Sequence, residues 1–182
     1  GKKSNGSAED AWALKITNSG GICSPIGSCG SVINGTNVFS KIYSGSFSDS
    51  FADVAKTSDG NYVFAGATSS FGGNRIWVVK TNQQGTSCAI NASGECSGSG
   101  IYARVFDGGF AYAVDNTNDG GVIISSSVSL VKLDMNGLTC PFSFGTSCFE
   151  SAQRFSRYFG RTLYDVQQTT DGSYVTTGFF TP

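Results

Sequence analysis

The sequence contains no histidine among its 182 residues. Histidine is the commonest general base and the commonest metal ligand, so its absence excludes Ser-His-Asp and Cys-His catalysis and imidazole-bound zinc. Charge is also scarce, because charged residues make up 14% of the chain against about 25% in typical soluble domains. The formal net charge of -1 leaves no basic excess to hold a nucleic-acid backbone, so we expect no nucleic-acid partner.

Long apolar runs and helical patterns are absent as well. No run of about 18 apolar residues occurs, so we expect no membrane span. No signal peptide is visible, which is also expected of a mature secreted chain that has lost its leader. The 25 glycines and many serines argue against helices, and the periodicity is that of strands. These features predict an all-β chain.

The cysteines that are present fall into three local pairs. Five, seven and seven residues separate the partners in the pairs Cys23 and Cys29, Cys88 and Cys96, and Cys140 and Cys148. An even count in local pairs predicts disulfides and an oxidising compartment. The alternative is a metal site, but zinc-binding cysteine pairs usually have two to four residues between them.

One ten-residue phrase occurs three times, and it predicts a repeat array. The copies are TSDGNYVFAG at 57–66, TNDGGVIISS at 117–126 and TTDGSYVTTG at 169–178. A period near 50 residues is typical of propellers and other repeats. Asp-Gly within each phrase is a hairpin signal between two strands. We therefore expect one four-stranded antiparallel meander, the size of a propeller blade, per repeat.

The predicted strands assign each segment to a blade. The second blade spans 38–96, with strands at 38–43, 51–56, 62–67 and 76–81, and the third spans 101–148, with strands at 101–106, 110–115, 121–126 and 128–133. The first blade is split: 155–182 supplies three strands, and 1–30 supplies the fourth, AWALKI at 11–16. AWALKI matches IWVVKT and VSLVKL, since each is followed by a short turn and a cysteine.

The phrase TSDGNYVFAG, followed by IWVVKTNQQG, resembles a repeat of secreted bacterial and archaeal β-propeller proteins. Blades of that family carry a DGGYIVAG…WLVKLD-type motif. The resemblance covers nearly the whole chain and implies a β-propeller-like fold with three four-stranded blades, and secretion. It implies no site, because propellers host many functions. The cysteine pair after each fourth strand and the low number of copies depart from the family pattern.

Three arrangements would pair the split blade. The N-terminal strand closes the ring within its own chain, or inserts into the last blade of a neighbouring chain, or the sequence is a piece of a longer propeller. The predicted assembly strand involves Trp12, Leu14 and Ile16 on one side and Tyr174 and Val175 on the other.

Two sets of cations recur at equivalent positions. Lys41, Arg104 and Arg157 lie in the strands FSKIY, YARVF and FSRYF, and form a candidate anion-binding ring. The alternative is that their stems cover neighbouring aromatic rings while the charged heads reach water. Lys15, Lys80 and Lys132 end the fourth strands, where we predict solvent-facing residues that protect sheet edges.

Other candidate sites are few. Asn5, Asn34 and Asn91 begin N-x-S/T sequons and predict glycosylated loops. No calcium-loop spacing occurs, so we predict no metal and no cofactor. A glycosidase needs only two carboxylates, but nothing selects a pair among the 13 acidic residues.

These observations predict a non-enzymatic, extracellular structural protein, the subunit of a filament, tube or surface assembly joined head to tail by β-strand complementation. The alternative is a monomeric, secreted propeller module that binds carbohydrate or another ligand.

Overall fold

The computed structural model describes the backbone of residues 2–4 and the chain from 8 to 180. The described part of the chain contains strands and turns but no helix. The strands are β1 (Lys2–Ser4), β2 (Glu9–Lys15), β3 (Ser28–Ile33), β4 (Thr36–Tyr43), β5 (Asp49–Lys56), β6 (Tyr62–Thr68), β7 (Arg75–Thr81), β8 (Cys96–Gly98), β9 (Ile101–Phe106), β10 (Ala111–Asn116), β11 (Val122–Ser126), β12 (Ser129–Leu133), β13 (Cys148–Ser151), β14 (Arg154–Tyr158), β15 (Leu163–Gln168) and β16 (Tyr174–Gly178).

These strands form three antiparallel sheets and a hairpin. The first sheet has the order β1-β2-β4-β3, the second β5-β6-β7-β9-β8 and the third β10-β11-β12-β14-β13. The terminal hairpin consists of β15 and β16 alone. The second and third sheets therefore share one topology. In the first sheet, β2, β4 and β3 correspond to the last three strands of that order, and the terminal hairpin corresponds to its first two strands.

The repeat in the sequence is a repeat in hydrogen-bond register. β5, β10 and β15 each contain a bulge, at Ala52, Tyr112 and Tyr164, opposite the same point of the following strand. The turn that follows is also the same three times. The Oγ1 atoms of Thr57, Thr117 and Thr169 each donate a 2.5 Å hydrogen bond to the aspartate two residues on. The turn spans five residues, 57–61 in the first copy, and only its glycine has positive φ, so it is longer than a tight primed turn.

The blade boundaries predicted from the sequence are wrong by one strand. The strand at 38–43 pairs with β2 and β3, not with 51–56. The strands at 101–106 and 155–159 likewise belong to the preceding sheets, where β9 pairs with β7 and β14 pairs with β12. Each cysteine loop therefore leads back to the strand it has just left, although the loop from β9 to β10 is shorter than the chain that joins β7 to β9.

The predicted pairing of 11–16 with the last strands does not occur within the chain. β2 lies between β4 and β1, while β16 has β15 as its only partner strand in the part of the chain that the structure describes. Closure of the ring within one chain is therefore not what the structure contains.

The three predicted disulfides are confirmed: Cys23–Cys29, Cys88–Cys96 and Cys140–Cys148 all form, and no cysteine of the described chain is free. The second cysteine of each pair lies in or begins a short strand, β3, β8 or β13, at the outer edge of its sheet. Each bridge thus fastens an edge strand, and is consistent with an oxidising environment.

The sheets stack in chain order through their first strands. β10 lies against β5 and β6, and β15 lies against β10 and β11. The largest apolar core joins the second sheet to the third through Val63, Val78, Val114 and Val131. β5 is in contact with β2 and β1 on its other side. Among the described residues, the first sheet and the terminal hairpin share no extensive contact.

Candidate functional site

The candidate site consists of two strand edges, one on β2 and one on β16. The repeat identifies β2 as the counterpart of β7 and β12. Each of the three is followed by the same turn, in which Thr17, Asn82 or Asp134 donates its backbone N–H to the carbonyl four residues later. β16 is the counterpart of β6 and β11, because it ends the same ten-residue phrase. In the two five-stranded sheets these counterparts are hydrogen-bonded neighbours.

The edge of β2 is only partly covered. β1 pairs with Ala11, Asp10 and Glu9. No strand of the described chain pairs with the remainder of that edge, from Trp12 onward. The counterparts of this remainder in β7, from Trp77 to Thr81, pair with all of 62–66.

The outer edge of β16 lacks a partner strand in the described chain, and its side chains are exposed. Val175 is 53% exposed, whereas its counterparts Val63 and Ile123 are both 0% exposed. The difference does not come from residue type, since all three are β-branched and apolar. It comes from packing: Val63 shares a core with Val114 of the following sheet and Ile123 shares one with Val166, whereas Val175 belongs to none of the apolar cores of the described residues.

The matching positions in β2, and Ile16 directly after it, show the same contrast. Ile16 is 48% exposed, while its counterparts Thr81 and Leu133 are 0% exposed. Leu14 is also exposed, whereas Val79 and Val131 are buried. Isolated exposed apolar residues are normal, but a set that is buried in each repeat with a full sheet marks an interaction surface.

A third exposed position lies on β5. Val54 is 50% exposed, whereas its counterparts Val114 and Val166 are 5% and 2% exposed. Val114 packs in the core shared with the second sheet, and Val166 packs against Ile123 and Leu130 of the third sheet. Val54 therefore lies at the position that the first two strands of a preceding sheet would cover.

Buried lysines provide the electrostatic part of the pattern. The Nζ of Lys80 lies 2.8 Å from the carboxylate of Asp59, and that of Lys132 lies 3.0 Å from Asp119. The prediction of solvent-facing lysines is wrong for both, since they are 2% and 0% exposed. Their counterpart Lys15 instead lies 5.2 Å from the ring centre of Tyr62.

These ion pairs shift the acidities of their members. Burial alone raises the pKa of Asp59 and of Asp119, but hydrogen bonds from the lysine, the threonine and a backbone N–H outweigh it and lower both pKa values. Burial lowers the pKa of Lys132, and the hydrogen bond with Asp119 offsets part of that effect. In the third copy, Asp171 is hydrogen-bonded by Thr169 and Ser173, which lower its pKa.

The candidate anion ring of Lys41, Arg104 and Arg157 is wrong at Arg104. Its guanidinium is buried and donates to the backbone carbonyls of Cys96, Ala103, Asn136 and Gly137, and to Oγ of Ser97. Arginine in such a setting joins two sheets and has little capacity left for a ligand. Lys41 is half-buried, and Arg157 is exposed.

The remaining predicted residues are placed as follows. Asn34 and Asn91 are exposed, the former in the turn between β3 and β4, and Asn5 lies outside the described residues. The described residues contain no cluster of three or more cysteines or carboxylates positioned to hold a metal ion. The described part of the chain also has no helix with the length and apolarity needed to cross a membrane.

No family model matches the chain, and neither a curated protein nor a solved structure shows significant similarity to it. The resemblance to secreted propeller repeats stays a prediction.

Proposed function

We propose that the protein is a non-enzymatic structural subunit that assembles head to tail. The terminal hairpin of one copy adds to the open edge of β2 in the next copy. The sheet so formed has the order β15-β16-β2-β4-β3, which is the order of the second and third sheets. The single observation that carries the proposal is that the first sheet lacks the first two strands of the repeat and the terminal hairpin consists of those two strands.

The register of this junction follows from the repeat. Val63 lies opposite Lys80, and Ile123 lies opposite Lys132, in the pairs that are formed. The same register places Val175 opposite Lys15 and Tyr174 opposite Ile16. Gly178 then lies opposite Trp12, so that the five residues of β16 lie along 12–16, which is the part of the β2 edge that β1 leaves uncovered together with the residue after β2.

The energetics favour the junction. It covers Ile16, Val54 and Val175, each about half exposed in the single chain. Burial of an aliphatic side chain contributes roughly 1.5–3 kcal/mol. Backbone hydrogen bonds along the strand add to this, as in other cases of β-strand addition. A head-to-tail contact of this kind produces a ring or an open filament, depending on the rotation between copies.

The finer points of the proposal follow from the same pattern. Each composite unit is a propeller-like blade, so that a filament would be a continuous stack of such blades. The three disulfides support an extracellular location, in which a stapled, weakly charged surface persists without reducing enzymes. Asn34 and Asn91 are exposed and suit glycosylation there.

The test is the size of the purified chain as its concentration rises. Sedimentation velocity is expected to resolve multiples of the 19.0 kDa subunit, and negative-stain electron microscopy is expected to resolve rings or filaments. A single species of subunit mass at every concentration would reject the assembly and favour a monomeric binding module.

A further inference from the structure

We propose that a second copy of the chain inserts its 17–21 turn, led by Ile16, into the cavity between the third sheet and the terminal hairpin. This inference rests on the proposed strand complementation and names the socket that fixes its geometry. The cavity has a volume of about 600 Å³, and its lining includes Leu130, Phe155, Arg157 and Tyr174.

The single chain already contains two sockets of this type. Gly137, in the turn after β12, lies against the ring of Tyr102 in the preceding sheet, so that a Cβ atom at Gly137 would lie 2.5 Å from the ring. Gly85, in the turn after β7, lies in the same way against Phe39, where a Cβ would lie 2.6 Å from the ring. Each sheet thus receives on an aromatic residue the turn glycine of the sheet that follows.

Both members of a third socket are present, but they are not in contact. Gly20 is the counterpart of Gly85 and Gly137, since all three donate to the carbonyl that begins their turn. A Cβ atom at Gly20 would meet no atom of the described residues within 4 Å. Phe155 is the counterpart of Phe39 and Tyr102, and it lines the open cavity. Gly20 has no aromatic partner and Phe155 has no turn glycine against it, so we assign both to one junction between copies.

The polar contacts of the filled socket are missing in the same place. Arg104, two residues after Tyr102, donates to the carbonyl oxygens of Gly137 and Asn136, at 3.2 Å in each case. Its counterpart Arg157 lines the cavity and is exposed. The carbonyls that match those of Gly137 and Asn136 are those of Gly20 and Ser19. Arg157 is therefore set to bind the turn of the incoming copy.

Ile16 supplies the apolar part of the insertion. Its counterpart Leu133 is fully buried in the core that also contains Tyr102 and Val78. The residues that match Tyr102 and Val78 in the third sheet are Phe155 and Leu130, and both line the cavity. A neighbouring copy is the occupant favoured by these matches, because Leu130, Phe155 and Arg157 of the cavity match residues of a site that this chain fills with its own sequence.

Gly20→Asn tests the insertion, with Gly35→Asn as the matched control. Both glycines have positive φ, which asparagine tolerates, and both face open space in the single chain. Gly35 lies in the turn between β3 and β4, and Gly100 in the equivalent turn between β8 and β9 also meets nothing within 4 Å, so we expect position 35 to stay open in the assembly. We expect Gly20→Asn to raise the concentration for half-assembly by on the order of tenfold or more, and Gly35→Asn to leave it unchanged.

A mixing experiment tests the direction of the contact. Gly20→Asn has a defective turn and an intact socket, whereas Arg157→Ala has an intact turn and a defective socket. We expect each variant alone to assemble poorly, and an equal mixture to form heterodimers that contain one variant of each kind. Native mass spectrometry separates these species, since the two substitutions change the subunit mass differently.

The outcomes separate this inference from the proposed function. If the unmodified chain assembles and Gly20→Asn assembles equally well, the socket is wrong and strand complementation stands. A mixture that yields no heterodimer overturns the pairing of this turn with this cavity. If the unmodified chain stays monomeric at every concentration, both the inference and the proposed function are rejected.

Discussion

The ammonium group of Lys132, fully buried, lies 3.0 Å from the carboxylate of Asp119 in the hairpin turn beside it. The same relationship holds between Lys80 and Asp59 in the preceding sheet. In the third copy the aspartate, Asp171, and the lysine, Lys15, lie in separate sheets. The ion pair thus recurs in both five-stranded sheets, and only its third copy is separated. A junction between copies of the proposed kind brings Lys15 and Asp171 together.

Charge exchange tests that ion pair. We expect Lys15→Asp and Asp171→Lys each to weaken assembly, because either one opposes like charges at a buried position, where breaking a pair costs about 3–5 kcal/mol. The double variant places opposite charges together again, so it is expected to recover at least part of the lost assembly. Sedimentation velocity across a concentration series measures all three. Additive losses in the double variant would show that the two residues do not meet.

Val175→Lys tests the edge of β16, with Val32→Lys as its control. Both valines are more than half exposed in the single chain, so neither substitution is expected to unfold it. In the proposed junction Val175 becomes buried opposite Lys15, so a lysine there opposes a like charge. Val32 lies on β3, at the other edge of the first sheet. A cost of about 3 kcal/mol for the buried, unpaired ammonium group corresponds to a roughly hundredfold higher concentration for half-assembly. Equal behaviour of the two variants would remove β16 from the interface.

Removal of the disulfides is expected to destabilise the subunit. Each bridge closes a loop of few residues, with sequence separations of 6, 8 and 8. The chain-entropy model gives on the order of 2–3 kcal/mol for loops of this size. Replacement of one cysteine pair by serines, followed by urea unfolding, measures the loss. An unchanged unfolding midpoint in all three paired variants would contradict a stabilising role.

Acid is expected to lower the free energy of unfolding through Asp59 and Asp119. Their pKa values in the folded chain lie below the ordinary value of 3.8. A carboxylate with a lowered pKa contributes its full stability above 3.8, and loses it as the pH falls through the folded value. Urea unfolding at a series of pH values measures the loss. Asp59→Asn removes one of the two groups, so a variant with an undiminished acid response would contradict this assignment.

The sequence predicts the positions of the long strands and the disulfides because these depend on local pattern. Every predicted strand overlaps an observed one, since alternation of apolar residues and Asp-Gly turns act within a few residues. The short strands β1, β3, β8 and β13 were not predicted. Three of them contain a cysteine and show little alternation of apolar and polar residues, so their sequences predict loops.

Sheet membership and burial of charge are harder to predict. The strand at 101–106 can extend the sheet before it or begin the next one, and either choice gives an antiparallel meander. Burial of Lys80 and Lys132 depends on an aspartate that the turn presents, which no periodicity reveals. The sequence does contain a signal for the socket. A glycine follows each of β2, β7 and β12, at 20, 85 and 137, and an aromatic residue follows each cysteine loop, at 39, 102 and 155.

Hydrogen exchange of the intact chain, followed by mass spectrometry below and above the assembly concentration, tests the pairing of β16 with β2 most directly. We expect the backbone amides in 12–16 and 174–178 to gain protection together as the oligomers form, while those of β6 and β7 stay protected throughout. Oligomers in which these two segments exchange as fast as in the monomer, or a chain that never assembles, would contradict the account.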